Sequence, residues 1–235
     1  MFRFKQFTVE QHLCAMKVNT DGVLLGAWAI AHGSTTQPVD VLDIGTGTGV
    51  IALMCAQAMP LATIDAIDID SNAAAQAAAN FGNSPWAARL RAANISLQHM
   101  VTTKAYDFIV SNPPYFLDDY KSGDNRRDVA RHSTALTYSE LMTGIDRLLT
   151  DNGIAFVIIP VFNFDILQQL AEEKGLFVTY RTNVMAVEGK PPYVTLVRLQ
   201  KERSPVVNDT ITIQHSNGNF TDSYRQLTKE FYLKF

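Results

Sequence analysis

VDVLDIGTGTGVIALMCAQAM (residues 39–59) decides the fold. Its first part is an aliphatic, β-branched run of strand length. Its last part carries apolar residues at helical spacing until Pro60 stops it. A strand that turns through glycines into a helix is the first half of a strand–helix–strand unit, and the chain downstream repeats the pattern. ATIDAIDI (62–69) reads as the second strand, after which Ser71 caps an alanine-rich helix that stops near Gly82. RLRAANIS (89–96) and YDFIVS (106–111) read as the next two strands. A Thr137-x-x-Glu140 capping box opens a helix closed by Gly153. IAFVIIP (154–160), a helix from Asn163 to Gly175 and LFVTYRTNVMAV (176–187) follow. PPYVTLVRLQ (191–200) returns after a Gly-Lys-Pro-Pro turn, as the second arm of a hairpin. The pattern predicts an α/β, Rossmann-like fold. It has a mostly parallel seven-stranded sheet with one antiparallel hairpin strand and helices on both faces. Residues 1–235 are expected to form a single domain, with 1–37 as an N-terminal extension packed across it.

With 235 residues, 47% of them hydrophobic, the chain can bury a full core. A net charge of −3 with 18% charged residues excludes a disordered tail and a globally basic nucleic-acid coat. Nucleic-acid binding must then come from a local basic face. Cys14 and Cys55 are too few for a disulfide framework or a metal cage, and are expected to fill core space in a reducing cytoplasm. The amphipathic start MFRFKQFTVEQ has no signal-peptide character. The longest apolar run, IAFVIIPVF, falls far short of the roughly 20 residues that cross a bilayer. A cytoplasmic protein with neither metal nor membrane partner is expected. The sequence leaves its oligomeric state open, a monomer being the simpler expectation.

DIGTGTG (43–49) sits at the first strand–helix turn, where Gly45, Gly47 and Gly49 let the backbone approach a ligand closely. Asp68 ends the second strand about 20 residues on, where a carboxylate can accept both ribose hydroxyls of a nucleoside. A P-loop needs G-x-x-x-x-G-K-[ST], which the residues after Gly45 do not supply, and a dinucleotide fingerprint needs glycine where Val50 stands. Asp43 tips the balance. A carboxylate beside the loop would repel a pyrophosphate but suits the ammonium and sulfonium groups of S-adenosylmethionine. A dehydrogenase and a merely tight turn are the weaker alternatives. Ile69 can pack against a cofactor adenine or serve as an ordinary core residue.

SNPPYF (111–116) ends the fourth strand, at the edge where open α/β sheets bind ligands. Pro113 and Pro114 fix their own φ and hold the preceding residues extended, so the carbonyl after Asn112 points in a set direction. An amine attached to an aromatic ring is a poor nucleophile because its lone pair is delocalised. The Asn112 side-chain oxygen and the Pro113 carbonyl can take its two hydrogens and favour a pyramidal nitrogen. Tyr115 offers a face for a planar base. No strong general base is required, since the amine becomes acidic only once methylated, and positioning is the main catalytic contribution.

With DIGTGTG, AIDID and SNPPY in this order, the chain resembles the class I amino-methyltransferases of the Asn-Pro-Pro-Tyr type. A narrower likeness comes from FKQFTVEQHLCAMKVNTDGVLLGAWA (4–29), NSPWAARL (83–90), RRDVARH (126–132) and FYL (231–233). These stretches are similar to the bacterial tRNA adenine-N6 methyltransferases acting on adenosine 37 of tRNA1(Val), along essentially the entire chain. The resemblance implies S-adenosylmethionine as cofactor and the anticodon loop of a tRNA as partner. It also implies that Thr20 and Asp21 lie over the methionine end of the cofactor with Lys17 nearby. Gly45, Gly47 and Asp68 would hold the donor, and Asn112 through Tyr115 the adenine. Two positions depart from the family. Asn19 stands where glycine is usual, and asparagine tolerates φ > 0. Ser96, with Asn94 close by, stands where an aspartate usually meets the cofactor adenine.

For RNA contact, residues 117–132 include Arg127 and Arg131, but four basic and four acidic side chains there cancel. Residues 174–203 carry six basic positions, Lys190, Arg198 and Lys201 among them, against Glu188 and Glu202. With Tyr193 interleaved, this is the better phosphate-binding stretch, unless strand alternation scatters its charges over both faces. The C-terminal SYRQLTKEFYLKF reads as an amphipathic helix docked on the core. Competing activities are guanine-N2 methylation of ribosomal RNA and methylation of a protein glutamine. A non-catalytic RNA-binding module is the rival from another class, against which intact Asn112 and Asp68 argue.

Overall fold

The computed structural model describes residues 1–33, 35–113 and 136–234. A small antiparallel pair, β1 (Phe2–Arg3) and β2 (Thr8–Val9), precedes α1 (Thr20–Gly33). The main sheet then begins with β3 (Asp40–Ile44), α2 (Val50–Ala58), β4 (Thr63–Asp68), α3 (Ser71–Gly82), β5 (Leu90–Asn94) and β6 (Tyr106–Ser111). After residue 136 come α4 (Tyr138–Leu148), β7 (Leu149–Pro160), α5 (Phe164–Glu173), β8 (Phe177–Val187), β9 (Val194–Gln200), β10 (Val207–Gln214) and α6 (Asp222–Thr228). The order across the sheet is β10-β8-β9-β7-β6-β3-β4-β5, and only β9 runs against its neighbours.

The expected α/β architecture is therefore present, with eight strands in the main sheet instead of seven. The added strand, β10, pairs in parallel with β8 through Val207↔Tyr180 to Gln214↔Val187. Its sequence VNDTITIQ carries polar residues through its first half, so its apolar alternation covers too few positions to stand out. Two boundaries also move. Asp70, not Ser71, caps α3, its side chain accepting from the Asn72 N–H at 2.9 Å. The α4 helix keeps its Thr137–Glu140 capping box but ends at Leu148, five residues before Gly153. The strand starts at once, and the register shift between Tyr106↔Leu149 and Phe108↔Ile154 loops the intervening residues out as a bulge.

Alternation along the central strands divides the core into two layers. Val41, Phe108, Val110, Phe156 and Ile158 face a layer shared with α1 and α2. Leu42, Ile109, Ala155, Val157 and Ile159 face α4 and α5. Trp28 anchors α1 to the first layer, meeting Phe156 and Tyr180 edge-on at 5.6 and 5.7 Å. Such pairs contribute about 0.5–1.5 kcal/mol each beyond their burial. This anchoring sets where the first turn of α1 lies relative to the end of β6. At the C-terminus the helix covers only Asp222–Thr228, shorter than the expected SYRQLTKEFYLKF; Tyr224 on it and Phe231 beyond its end are buried in the same layer, so the segment docks on the core.

Candidate active site

Strand β3 is flanked by β4 on one side and β6 on the other, so chain order reverses between β3 and β6. Open α/β sheets bind ligands at that reversal, beyond the carboxyl ends of the strands. A cleft of about 250 Å³ lies there. Its walls come from four consecutive strand ends: Ile44, Gly45 and Gly47 after β3; Ile67, Asp68 and Ile69 after β4; Ile95 and Ser96 after β5; Ser111, Asn112 and Pro113 after β6.

The glycine loop is held from below. Gly45 and Thr46 donate their N–H groups to the Ile67 carbonyl at 2.9 and 3.0 Å, stitching the loop to β4. Gly47 has φ +55° and donates to Asp68 Oδ2 at 2.9 Å. A Cβ built at Gly45 or Gly47 meets nothing within 4 Å, so both open onto the cleft. Gly49 differs: a Cβ there would lie 2.5 Å from the Phe81 ring, so this glycine serves packing of α3 against the start of α2. The second oxygen of Asp68 accepts the Asp70 N–H at 2.9 Å. Each carboxylate oxygen thus has one lone pair fixed by backbone and one left to accept a hydroxyl. Asn94 completes the shelf by donating to the Asp68 and Ile69 carbonyls at 3.0 and 2.9 Å.

Ile69 is 56% exposed, and its side chain lines the cleft beside Ile95 and Leu97. That is the setting for a flat apolar ring and not for a core isoleucine. Ser96 also lines the cleft, its hydroxyl paired with His99 Nδ1 at 2.8 Å. Between the two polar groups weighed at this wall, Ser96 faces the cleft, while Asn94 is occupied with backbone.

Asp43 is not where a contact with a bound cation requires it. It is 1% exposed, absent from the cleft wall, and accepts the Thr46 hydroxyl at 2.6 Å through Oδ2. Its Oδ1 has no hydrogen-bond partner. Burial pushes its carboxyl up to about 7, against the lowering effect of the Thr46 hydroxyl and the Ala52 backbone N–H, with the nearby Asp68 charge adding a further rise. Asp43 shares the face of β3 with Val41, on the side of the sheet covered by α2, so it bonds the loop from beneath through Thr46.

The N-terminal segment supplies the opposite wall through Cys14, Ala15 and Met16. Two buried amides one turn apart on α3 hold it. Asn80 accepts the Glu10 N–H at 2.9 Å and donates to the Glu10 and Thr48 carbonyls at 2.8 Å, while Gln76 accepts the Leu13 N–H at 3.1 Å. Sequence reading missed this wall. Its signal was two amides at i, i+4 on an otherwise apolar helix face. Lys17 does not reach the cleft, because its ammonium donates to the Gln11 and Cys14 carbonyls at 2.6 and 2.8 Å. Thr20 and Asp21 begin α1 and do not line the cleft either; Asp21 Oδ1 accepts the Tyr193 hydroxyl at 2.7 Å. The turn they belong to nevertheless abuts the amide at the strand end, since a Cβ at Gly22 would lie 3.8 Å from Asn112 Nδ2. Asn19 is not left-handed, as positive φ among the described residues is confined to glycines. It caps α1, with Oδ1 accepting the Gly22 N–H at 2.9 Å.

The basic stretch divides along topology. Lys190 sits in the β8–β9 turn at the cleft edge of the sheet and is exposed. Because β9 is antiparallel, its carboxyl end lies at the opposite edge, and Lys201 there is 3.8 Å from Asp146 and Asp151. Arg198 is partly buried mid-strand, donating to Thr179 Oγ1 at 2.9 Å, and burial lowers its pKa. Lys201 and Arg198 are thus poorly placed for RNA at the cleft. Pro114, Tyr115, Arg127 and Arg131, together with His132, lie outside the described residues.

Two open glycines, a carboxylate with two free acceptor sites and an exposed isoleucine fit an adenosine with a cationic tail, and S-adenosylmethionine is such a molecule. Among the described residues, no group of histidine, cysteine, aspartate and glutamate side chains could hold a metal ion, and no helix is long and apolar enough to cross a membrane. Cys55 is fully buried, whereas Cys14, also buried, borders the cleft.

Comparison with known proteins gives a consistent picture. The family model "Methyltransferase small domain" matches residues 30–158. A tRNA1(Val) (adenine(37)-N6)-methyltransferase of Bacteroides fragilis is 42% identical over 236 residues, covering 99% of this chain and 98% of its own. One of the same name from Flavobacterium psychrophilum is 43% identical over 240 residues, covering 100% of both. The crystal structure of a predicted O-methyltransferase from Agrobacterium tumefaciens superposes with a TM-score of 0.70 at 14% identity, covering 90% of this chain and 96% of that one. At that identity, the last likeness speaks for the fold alone.

Proposed function

Since the chain belongs to the tRNA1(Val) (adenine(37)-N6)-methyltransferase family, we propose that it methylates the exocyclic N6 of adenosine 37 in that tRNA, using S-adenosylmethionine. One observation carries this reading: Asn112 and Pro113 close the same cleft that Gly45, Gly47 and Asp68 open, from the adjacent strand. When bound, the cofactor supplies an electrophilic methyl on a sulfonium centre.

Each side chain then has a definite task. The free lone pairs of Asp68 accept the ribose hydroxyls, Ile69 packs on the cofactor adenine, and Ser96 borders it. The Gly45–Gly47 backbone lets the cationic tail lie close. Asp43 stiffens that loop from beneath through Thr46. At the other end, the Asn112 side-chain oxygen and the Pro113 carbonyl accept the two hydrogens of the target amine and turn its lone pair out of conjugation. Ser111 fixes the strand end that carries them, donating to the Ile44 carbonyl at 2.9 Å. By the motif, Tyr115 would supply the face on which the target base stacks. Holding nitrogen and electrophile in a near-attack arrangement can contribute about 7–11 kcal/mol. Of Lys190, Arg198 and Lys201, Lys190 is the best placed for a phosphate.

The test is transfer of labelled methyl to unmodified bulk tRNA, followed by nucleoside analysis. Label in N6-methyladenosine is expected. Label in N2-methylguanosine, or in protein alone, overturns the assignment.

A further inference from the structure

Phe162 is 73% exposed, although the turn that carries it is firmly fixed. It follows β7 in the single turn Val161–Asn163. The Val161 N–H donates to the Tyr193 carbonyl at 3.1 Å, and the buried Asn163 donates through Nδ2 to the Tyr138 hydroxyl at 3.0 Å. Residues on both sides of Phe162 are thus pinned, and the phenyl ring is held out into solvent at a set place.

That place is the cleft edge of the sheet, one strand from Asn112. Ser111 on β6 pairs with Val157 on β7, so Phe162 emerges beyond the level of Asn112. One strand spacing sideways and a few residues along give a separation on the order of 10 Å. Neighbouring bases in an unstacked strand are separated on that scale. The tie to Tyr193 brings Phe162 beside the start of β9, where Tyr193 is 36% exposed and the Lys190 ammonium lies three residues away in the turn. A pinned, exposed aromatic beside a second ring and a cation is the chemistry that grips single-stranded nucleic acid by stacking and phosphate contact.

We propose that Phe162 is the stacking platform for the base adjacent to the target adenosine, with Lys190 facing the backbone phosphate. This rests on RNA being the substrate. It deepens that reading by naming how the strand is held once the target base has entered the cleft.

The experiment compares wild type, Phe162→Ala and Phe162→Trp on tRNA1(Val) transcripts. Matched transcripts carry an abasic residue immediately 5′ or 3′ of the target. Phe162→Ala should raise the KM for RNA by about fivefold to 150-fold. Cofactor affinity by calorimetry should stay unchanged, and tryptophan should restore the KM. On the RNA lacking the stacked base, the wild-type KM should rise to that of the alanine variant, and the variant's KM should rise no further. A variant KM within about twofold of wild type, or an equal further loss on both abasic transcripts, overturns the proposal. Failure of wild type to methylate the intact transcript overturns the substrate reading itself, and is told apart by the wild-type lane alone.

Discussion

Replacing Asp43 with Asn tests the buried carboxyl beneath the glycine loop. In the folded chain this group titrates at about 7 because burial disfavours its charge, whereas an unfolded aspartate titrates near 3.9. A folded pKa raised above the unfolded one means the native state binds the extra proton, so stability falls as pH rises through the window between the two values. The full penalty, about three units at 1.36 kcal/mol each, is about 4 kcal/mol and is complete above the folded pKa. At pH 5 roughly a third of it is already felt, so moving from pH 5 to pH 8 costs the wild type a further 2.5–3 kcal/mol or so. In a protein of this size that corresponds to roughly 5–10 °C of Tm. Asparagine keeps the shape and the acceptor for the Thr46 hydroxyl but has no charge to desolvate. Thermal unfolding of the cofactor-free proteins at both pH values should therefore show Asp43→Asn gaining on wild type by that amount between pH 5 and pH 8. A difference between the two proteins that is the same at both pH values would refute the reasoning.

Three further outcomes follow from the site. Asn112→Ala should abolish turnover while cofactor affinity, measured by calorimetry, stays within about tenfold, or roughly 1.4 kcal/mol; a larger loss moves Asn112 from substrate to cofactor duty. Gly47→Ala places a Cβ at φ +55° on the cleft wall. It should cost about 1–2 kcal/mol of stability from the left-handed strain, with cofactor affinity falling by more than the shift in Tm explains. Lys190→Glu should weaken tRNA binding and flatten its salt dependence by about one phosphate contact, whereas Lys201→Glu, at the far edge, should leave both unchanged in the same filter-binding assay.

The elements legible in the sequence are those whose evidence is local. The glycine loop, the Thr137–Glu140 box and the β6 run YDFIVS each declare themselves within a few residues, and each lies where expected. Asp68 and Asn112 could be expected at one cleft, which both line, because strand ends in a parallel sheet converge on one edge whatever the details of packing. What failed to show was contact between distant segments. Nothing in HLCAMKV announces a cleft wall until Asn80 and Gln76 are seen holding residues 10–13. Lys17 looked like a cofactor ligand by its place in a familiar stretch, yet its ammonium is spent on two carbonyls of its own turn. Asp43 was expected beside a bound cation and lies beneath the loop instead, because a loop motif does not say which side of the loop a carboxylate faces.

Charge is the sharpest case of this limit. Summed along residues 174–203, the basic excess suggests one phosphate-binding surface, and the sum is correct as arithmetic. Strand β9 alone reverses direction, however, so Lys190 at its entrance and Lys201 just past its exit are sent to opposite edges of the sheet. Arg198 between them is drawn in against Thr179 and the Tyr180 ring. One antiparallel strand therefore divides the apparent patch, and of Lys190, Arg198 and Lys201 it leaves Lys190 at the cleft edge. Phe162 and Tyr193, which no charge count would select, arrive next to it because Val161 bonds across to the same strand's first turn. An RNA surface on this fold has to be assembled from the loops at the carboxyl edge, whichever strands they leave. Its affinity should depend more on rings held by those loops than on the net charge of any one stretch.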